Sequence, residues 1–371
     1  MVTDLHKSFI QLVRLGIGTG AVSGSSTSEA AKPSVKFQVP IDWEAIKALA
    51  EQQGLSAVVL DGIECLPATQ RPQQELLLEW IGETLQNESI YASQQKDAAS
   101  MAVLFQNNGI RTYVLKGTVV AECYPKPSHR SSIDMDCYLL PKQSDFDAWN
   151  LGNDLIKAQG FEVVFDYYKN STFYLSNLTV ENHHYFTPFR GNKRLAALEK
   201  KLQSIIREDG GDNRLEGTWL YRPPVMVTSL FLIEHAYSHF LHEGLTWRMI
   251  LDWMMFSRKN EEGINWKQLE AWIDEFGFRK FYDSYSRLGQ YLIGELQDSC
   301  FTFQDKRMLE DVWAELDVHD TVRGIKGKLA LAGNTWRARW KYKYFSNISM
   351  IHALWTQVKG FLFEKNPSLN M

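Results

Sequence analysis

The hydrophobic pattern changes period several times along this chain, and each change marks an expected element. Near the start, Phe9, Ile10, Leu12, Val13, Leu15 and Ile17 fit a short amphipathic helix ending at Gly16 or Gly18. The stretch faintly mimics a signal peptide, but Gln11 and Arg14 interrupt its apolar run and no clear cleavage site follows. Residues 19–34 are rich in Gly, Ser, Thr and Ala and read as a loop or linker. From Asp42 the spacing turns helical through Trp43, Ile46, Leu49 and Ala50, closed by Gly54. A longer helix is expected from Pro72 to about Asn108, with Leu76, Leu77, Trp80, Ile81, Leu85, Ile90, Ala98 and Leu104 on one stripe. Asn107-Asn108-Gly109 ends it, since Asn and Gly tolerate the left-handed conformation found at helix C-termini.

Short strands and helices then alternate. Ile110–Tyr113 reads as a strand, Val119–Tyr124 as helical, and Ser131–Leu140 as a strand bounded by Arg130 and Pro141. Phe146–Gln159 reads as a helix stopped by Gly160, followed by strands at Phe161–Phe165 and Phe173–Val180. Residues 190–215 form a charged helix and loop, most simply a solvated face. Pro223-Pro224 opens a helix from Val225 to His242 that is apolar on most sides and therefore buried. No internal repeat is evident.

The candidate chemistry sits in the alternating region. Asp134 and Asp136 lie two apart on a strand, so their carboxylates share a face about 6–7 Å apart. Such a pair can hold a hard divalent cation, which prefers oxygen ligands and substrate phosphates. The simpler alternative is an edge strand with one solvated polar face. Upstream, Lys116-Gly117-Thr118 stands where a strand turns into a helix. Glycine there allows close backbone approach to a ligand, the helix start offers free N–H groups to a phosphate, Thr118 adds a hydroxyl and Lys116 a cation.

In Leu115-Lys116-Gly117, Tyr124-Pro125, Arg130 and Ile133-Asp134-Met135-Asp136, the chain resembles the uncharacterised nucleotidyltransferases of the polymerase-β-like superfamily. The specific part is Leu115 to Leu140; the broader similarity runs over about residues 40–345. The resemblance implies an α+β fold, a mixed sheet with flanking helices that binds a nucleoside triphosphate and two divalent metals. Gly117-Thr118 takes the place of a Gly-Ser turn, a departure that keeps the hydroxyl. The resemblance also implies a third carboxylate on a neighbouring strand. Glu181, in Glu181-Asn182-His183, is the candidate, and Asp166 is the fallback. Asn182 stands where an apolar residue is usual and His184 where an aromatic is usual. The implied roles are Asp134, Asp136 and Glu181 as metal ligands, and Lys116, Gly117, Thr118 and Arg130 around the phosphates. His235 and His239 are read as core or active-site-lining residues, because the Glu of a His-Glu-x-x-His zinc site is missing. A helix from Trp247 to Phe256 carries Asp252, which can orient a histidine or Arg248.

Composition narrows this little. The chain has 371 residues, 44% hydrophobic and 23% charged, ordinary globular material for two or three units. A net charge of −4 argues against a globally basic nucleic-acid coat but not against a local patch. Cys65, Cys123, Cys137 and Cys300 are widely spaced, without zinc or disulfide patterning, which makes reduced thiols in a cytoplasm the expectation. No uninterrupted apolar run reaches membrane-spanning length. Near the C-terminus, Arg323, Lys326, Lys328, Arg337, Arg339, Lys341 and Lys343 interleave with Trp336, Trp340, Tyr342, Tyr344 and Phe345. That mixture suits a packed amphipathic helix, phosphate contacts with base stacking, or an interfacial helix on anionic lipid.

The expected organisation is an N-terminal helical region (1–105), a nucleotidyltransferase core (106–215) and a C-terminal helical domain (216–371). The expected function is transfer of a nucleoside monophosphate from an NTP to an unidentified small-molecule, protein or RNA acceptor, with Mg²⁺ or Mn²⁺ as cofactor. A non-catalytic nucleotide-binding module and a toxin-like enzyme modifying tRNA ends are the alternatives.

Overall fold

The computed structural model describes residues 2–19, 37, 40–132, 134–142, 146–166, 168–189, 192–211, 213–314, 336 and 338–355. Helices α1 (Asp4–Gly16), α2 (Trp43–Gln52), α3 (Ser56–Glu64) and the long α4 (Gln74–Asn107) lead into the sheet. Thr3 caps α1 in a capping box with His6. Helices α1 and α3 cross at glycines: a Cβ on Gly16 would overlap the Val58 carbonyl, and one on Gly62 the Leu12 carbonyl. Only residues without side chains permit that backbone approach.

The sheet follows as β1 (Ile110–Val114), α5 (Thr118–Ala121), β2 (Asp134–Pro141), α6 (Ala148–Ala158), β3 (Val163–Asp166), β4 (Asn170–Leu175), β5 (Leu178–His183), α7 (Lys193–Glu208) and β6 (Leu220–Tyr221). Its order is β3-β4-β5-β2-β1-β6. β2 is central, antiparallel to β1 and parallel to β5. This is the mixed sheet of an α+β protein. The single strand read over Phe173–Val180 is instead a hairpin: β4 and β5 pair antiparallel from Asn170↔His183 to Leu175↔Leu178, with Ser176-Asn177 as the turn. The apolar alternation runs on both sides of those two polar residues, so spacing alone reads as one strand where two exist.

Side chains of β2 alternate between two cores. Met135, Cys137 and Leu139 join Ala98, Met101, Ala102 and Phe105 of α4 and Ile156 of α6. Tyr138 and Leu140 point into the larger core shared with the C-terminal helices. Helix α4 serves both cores, Trp80 in the larger and Ala98 to Phe105 in the smaller, so no single stripe runs its length. Leu85 and Ile90 are consequently exposed, contrary to the stripe expected from spacing.

The remaining helices are α8 (Val225–His242), α9 (Trp247–Lys259), α10 (Trp266–Phe276), α11 (Arg279–Ile293), α12 (Phe303–Trp313) and α13 (Arg339–Phe345). Of the basic aromatic stretch, Arg323, Lys326, Lys328 and Arg337 lie outside the described residues. Lys341 is buried, pairs with Asp311 at 2.8 Å and stacks over the Phe240 ring. Tyr342 and Phe345 are buried beside it, so this face of α13 is packed core. Among the described residues, no helix is long and apolar enough to cross a membrane.

Candidate active site

The turn after β1 and the start of β2 lie against each other. Gly117 adopts φ 72° and ψ −116°, a conformation that L-residues avoid. Its Cα side faces the Asp134 carbonyl and Met135 Cα, at 3.5 and 3.8 Å from where a Cβ would stand. The Leu115 N–H donates to the Asp136 carbonyl at 2.9 Å, fixing the turn to the strand. The Thr118 hydroxyl pairs with the Gln95 side-chain amide of α4.

Asp136 is the centre of the arrangement. It is fully buried and stands directly opposite Glu181 in the parallel β2–β5 pair. Its Oδ1 meets His183 Nε2 at 2.9 Å, and its Oδ2 meets Lys116 Nζ at 3.4 Å. Oδ2 has no hydrogen-bond partner. His183 Nε2 also approaches Glu181 Oε2 at 3.6 Å. Asp136, Glu181 and His183 thus offer three ligand atoms within 4.8 Å of one another. Asp134 lies outside that trio, two residues back on the same strand, partly exposed and opposite Thr179. The side chain of Asp166 lies outside the described residues.

The electrostatics follow from burial and these partners. Burial opposes the charge on Asp136, but Lys116 and the His183 hydrogen bond outweigh it and hold the carboxyl well below the usual range. Burial likewise opposes a charged His183, yet its hydrogen bonds to the Asp136 and Glu181 carboxylates leave its pKa raised. His235 goes the other way: burial first, then Lys116 and His239, drive its pKa well down. Lys116 Nζ lies 2.9 Å from His235 Nε2. An ammonium has no acceptor to offer, so this neutral imidazole accepts at Nε2 and carries its proton on Nδ1.

Arg130 stands behind this cluster. It is buried and makes a two-pronged ion pair with Asp252 of α9, Nε to Oδ1 at 2.7 Å and Nη2 to Oδ2 at 2.8 Å. The Tyr124 hydroxyl donates to the same Oδ1 at 2.7 Å. Arg130 Nη1 has no hydrogen-bond partner, and Asp134 adds to the negative field on the guanidinium. Asp252 therefore orients Arg130, with Arg248 farther off at 3.7 Å. His184 stacks on Trp149 with ring centroids 4.4 Å apart, away from the trio.

Two contributors were not singled out from sequence. Lys169, in the turn before β4, brings positive charge to bear on His183, Glu234 and His235. Nothing in its local sequence marks it. Glu234 is an acid inside the otherwise apolar α8, a signal that was available. Its Oε2 is buried without a hydrogen-bond partner, and burial lifts its pKa from 4.5 to about 7. The native state therefore resists ionisation that the unfolded chain undergoes near 4.5, so stability falls as pH rises from 4.5 to about 7. Glu234→Gln removes that penalty. Urea denaturation is expected to show the variant about 3 kcal/mol more stable than wild type near pH 8 and no more stable near pH 4.

No curated protein and no solved structure matches the chain. The family of uncharacterised nucleotidyltransferases does match, over residues 39–294. That span holds the turn, both paired strands and the α8–α9 helices that close over them, and the chain belongs to this nucleotidyltransferase family.

Proposed function

We propose that this protein transfers a nucleoside monophosphate from a nucleoside triphosphate to a hydroxyl-, phosphate- or protein-borne acceptor, with Mg²⁺ or Mn²⁺ as cofactor. The observation that carries the reading is the juxtaposition of Asp136 and Glu181 on paired parallel strands, with His183 completing the ligand set. A buried carboxylate oxygen that lacks a hydrogen-bond partner fits a cation, and a carboxylate-rich set suits Mg²⁺ or Mn²⁺. Asp136 and Glu181 would hold it, aided by His183 and by Asp134 farther along the strand. A cation held there would supply charge neutralisation to the phosphates.

The chain's own groups do the rest by positioning. Lys116 brings an ammonium to the site, and neutral His235 holds it there by accepting a hydrogen bond from it at Nε2. Gly117 keeps the backbone clear for terminal phosphates, and Thr118, steadied by Gln95, adds a hydroxyl. Arg130 contributes positive charge beside Asp134 while its other nitrogens stay locked on Asp252.

Thermal denaturation with each triphosphate, with and without Mg²⁺ or Mn²⁺, tests the reading, because a ligand of the native state raises its melting temperature. Stabilisation that needs both triphosphate and cation is expected, together with transfer of α-phosphate label into an acceptor pool and release of pyrophosphate. Absence of any cation-dependent stabilisation across all the triphosphates defeats the proposal.

A further inference from the structure

Beyond the cluster around Asp136, the far end of β2 borders a cavity of about 620 Å³. Its wall includes Arg111, Lys142, Arg207, Tyr138, Asp147 and His183. Arg111 lies on β1 in register with Leu140, and Lys142 directly follows β2, so the antiparallel pairing brings both cations to one end of the two strands. Arg207 comes from the last turn of α7.

Among the described residues, none of the three cations donates to a carboxylate. Lys142 Nζ donates to the Gln106 carbonyl at 2.9 Å, Arg111 Nη1 to the Asp209 carbonyl at 3.3 Å, and Arg207 Nη2 to the Gln203 amide oxygen at 3.5 Å. All three acceptors are neutral, and among the described residues none of these cations forms an ion pair. Among the described residues, the wall's carboxylate, Asp147, is committed elsewhere: it caps α6 through the Asn150 N–H and binds the Asn150 side chain. Burial and the neighbouring Arg111 charge lower the pKa of Lys142, a sign that the cations repel one another. Arg207 also bears on Tyr138, whose hydroxyl is a further donor in the wall.

Like charges gathered in a concave space cost free energy unless a counter-charge joins them. Among the described residues, the acids beside this wall are Asp147 and Asp209, and both carboxylates are engaged with other partners, Asp209 with the Tyr113 hydroxyl and the Gly211 N–H. We propose that this cavity binds a small phosphate-bearing molecule, at a site separate from the Lys116–Gly117–Thr118 turn. Two arginines and a lysine match a phosphate dianion by charge and by forked donor geometry. The volume lies within the range of small-molecule sites and exceeds what inorganic phosphate alone fills. His183 belongs both to the cavity wall and to the Asp136 cluster, so an occupant here adjoins the candidate metal ligands. The site does not depend on the transfer reaction proposed above.

Calorimetric titration of the full chain with inorganic phosphate and with a sugar monophosphate, in EDTA and at constant ionic strength, tests this. EDTA silences cation-dependent binding at the Asp136 cluster. Both probes are expected to bind, the sugar phosphate more tightly, and chloride not to substitute. Arg207 is exposed, so Arg207→Gln leaves folding intact and is expected to weaken binding about three- to fivefold. Lys142→Gln is expected to weaken it at least as much, Arg207→Lys to restore most of it, and Lys7→Gln, on α1, which packs on α2, α3 and α11, to change nothing. No binding by wild type at millimolar probe, or equal affinity in wild type, Arg207→Gln and Lys142→Gln, overturns the proposal.

Discussion

Arg130→Met is expected to lower unfolding free energy by about 3–5 kcal/mol, the range for stranding one member of a buried ion pair. Arg130 and Asp252 are both almost wholly buried, and their two-pronged contact joins the segment before β2 to helix α9. Without the guanidinium, Asp252 keeps the Tyr124 hydroxyl and a weak approach from Arg248 at 3.7 Å. Burial then dominates, and the carboxylate sits in the core without adequate counter-charge. In wild type, Asp252 has a lowered pKa because the Arg130 charge and hydrogen bonds overcome burial. Its contribution is therefore complete above the unfolded aspartate value, near 4. It is lost as pH falls through the folded value. The gap between wild type and variant should be widest near neutrality and narrow below about pH 4. Chemical denaturation across pH measures it. Arg130→Met with Asp252→Leu should recover most of the loss, because two matched apolar groups leave no buried charge. A single variant as stable as wild type at pH 7 contradicts the account.

That ion pair also shows where sequence reasoning stops. Arg130 and Asp252 were both visible as residues of interest, but 122 positions separate them and no local pattern announces the contact. Lys116 and His235, 119 positions apart, pose the same difficulty. What could be read was what local periodicity encodes. The strand bearing Asp134 and Asp136, the glycine turn, and helix α8 over Val225–His242 all follow from spacing within a few residues. Glu181 and His183 share a face because they lie two apart on a strand. That this face meets Asp136 depends on the parallel β2–β5 register, which tertiary packing sets. The hairpin at Ser176-Asn177 escaped because its two polar residues carry neither Gly nor Pro. Arg111, Lys142 and Arg207 escaped for a different reason: each is an ordinary surface cation in its own segment, and only strand pairing gathers them.

Asp136→Asn is expected to abolish cation-dependent triphosphate binding and to reduce nucleotidyl transfer at least about a thousandfold, since metal stabilisation of phosphoryl charge is worth several kcal/mol. It should also destabilise the fold. Lys116, 6% exposed, loses its ion-pair partner, and His183 loses its strongest acceptor. The His183 part of that loss has a definite pH dependence. Its folded pKa is raised, so its stabilisation is present below the unfolded value of 6.5 and disappears as pH rises through the folded one. The stability deficit of Asp136→Asn should accordingly be larger at pH 6 than at pH 9, while the Lys116 part persists at both. Loss of activity in an unstable protein proves little, and a second substitution separates the two effects. Lys116→Met with Asp136→Asn removes both charges, so most of the stability should return. Activity should not, because the carboxylate that pairs with Glu181 in the ligand set is still missing. Melting curves with triphosphate and Mg²⁺, run beside label transfer, read both properties on one preparation. If the folded double variant still binds triphosphate in a cation-dependent way, Asp136 is not a metal ligand, and its buried pairing with Lys116 and His183 is a feature of the core alone.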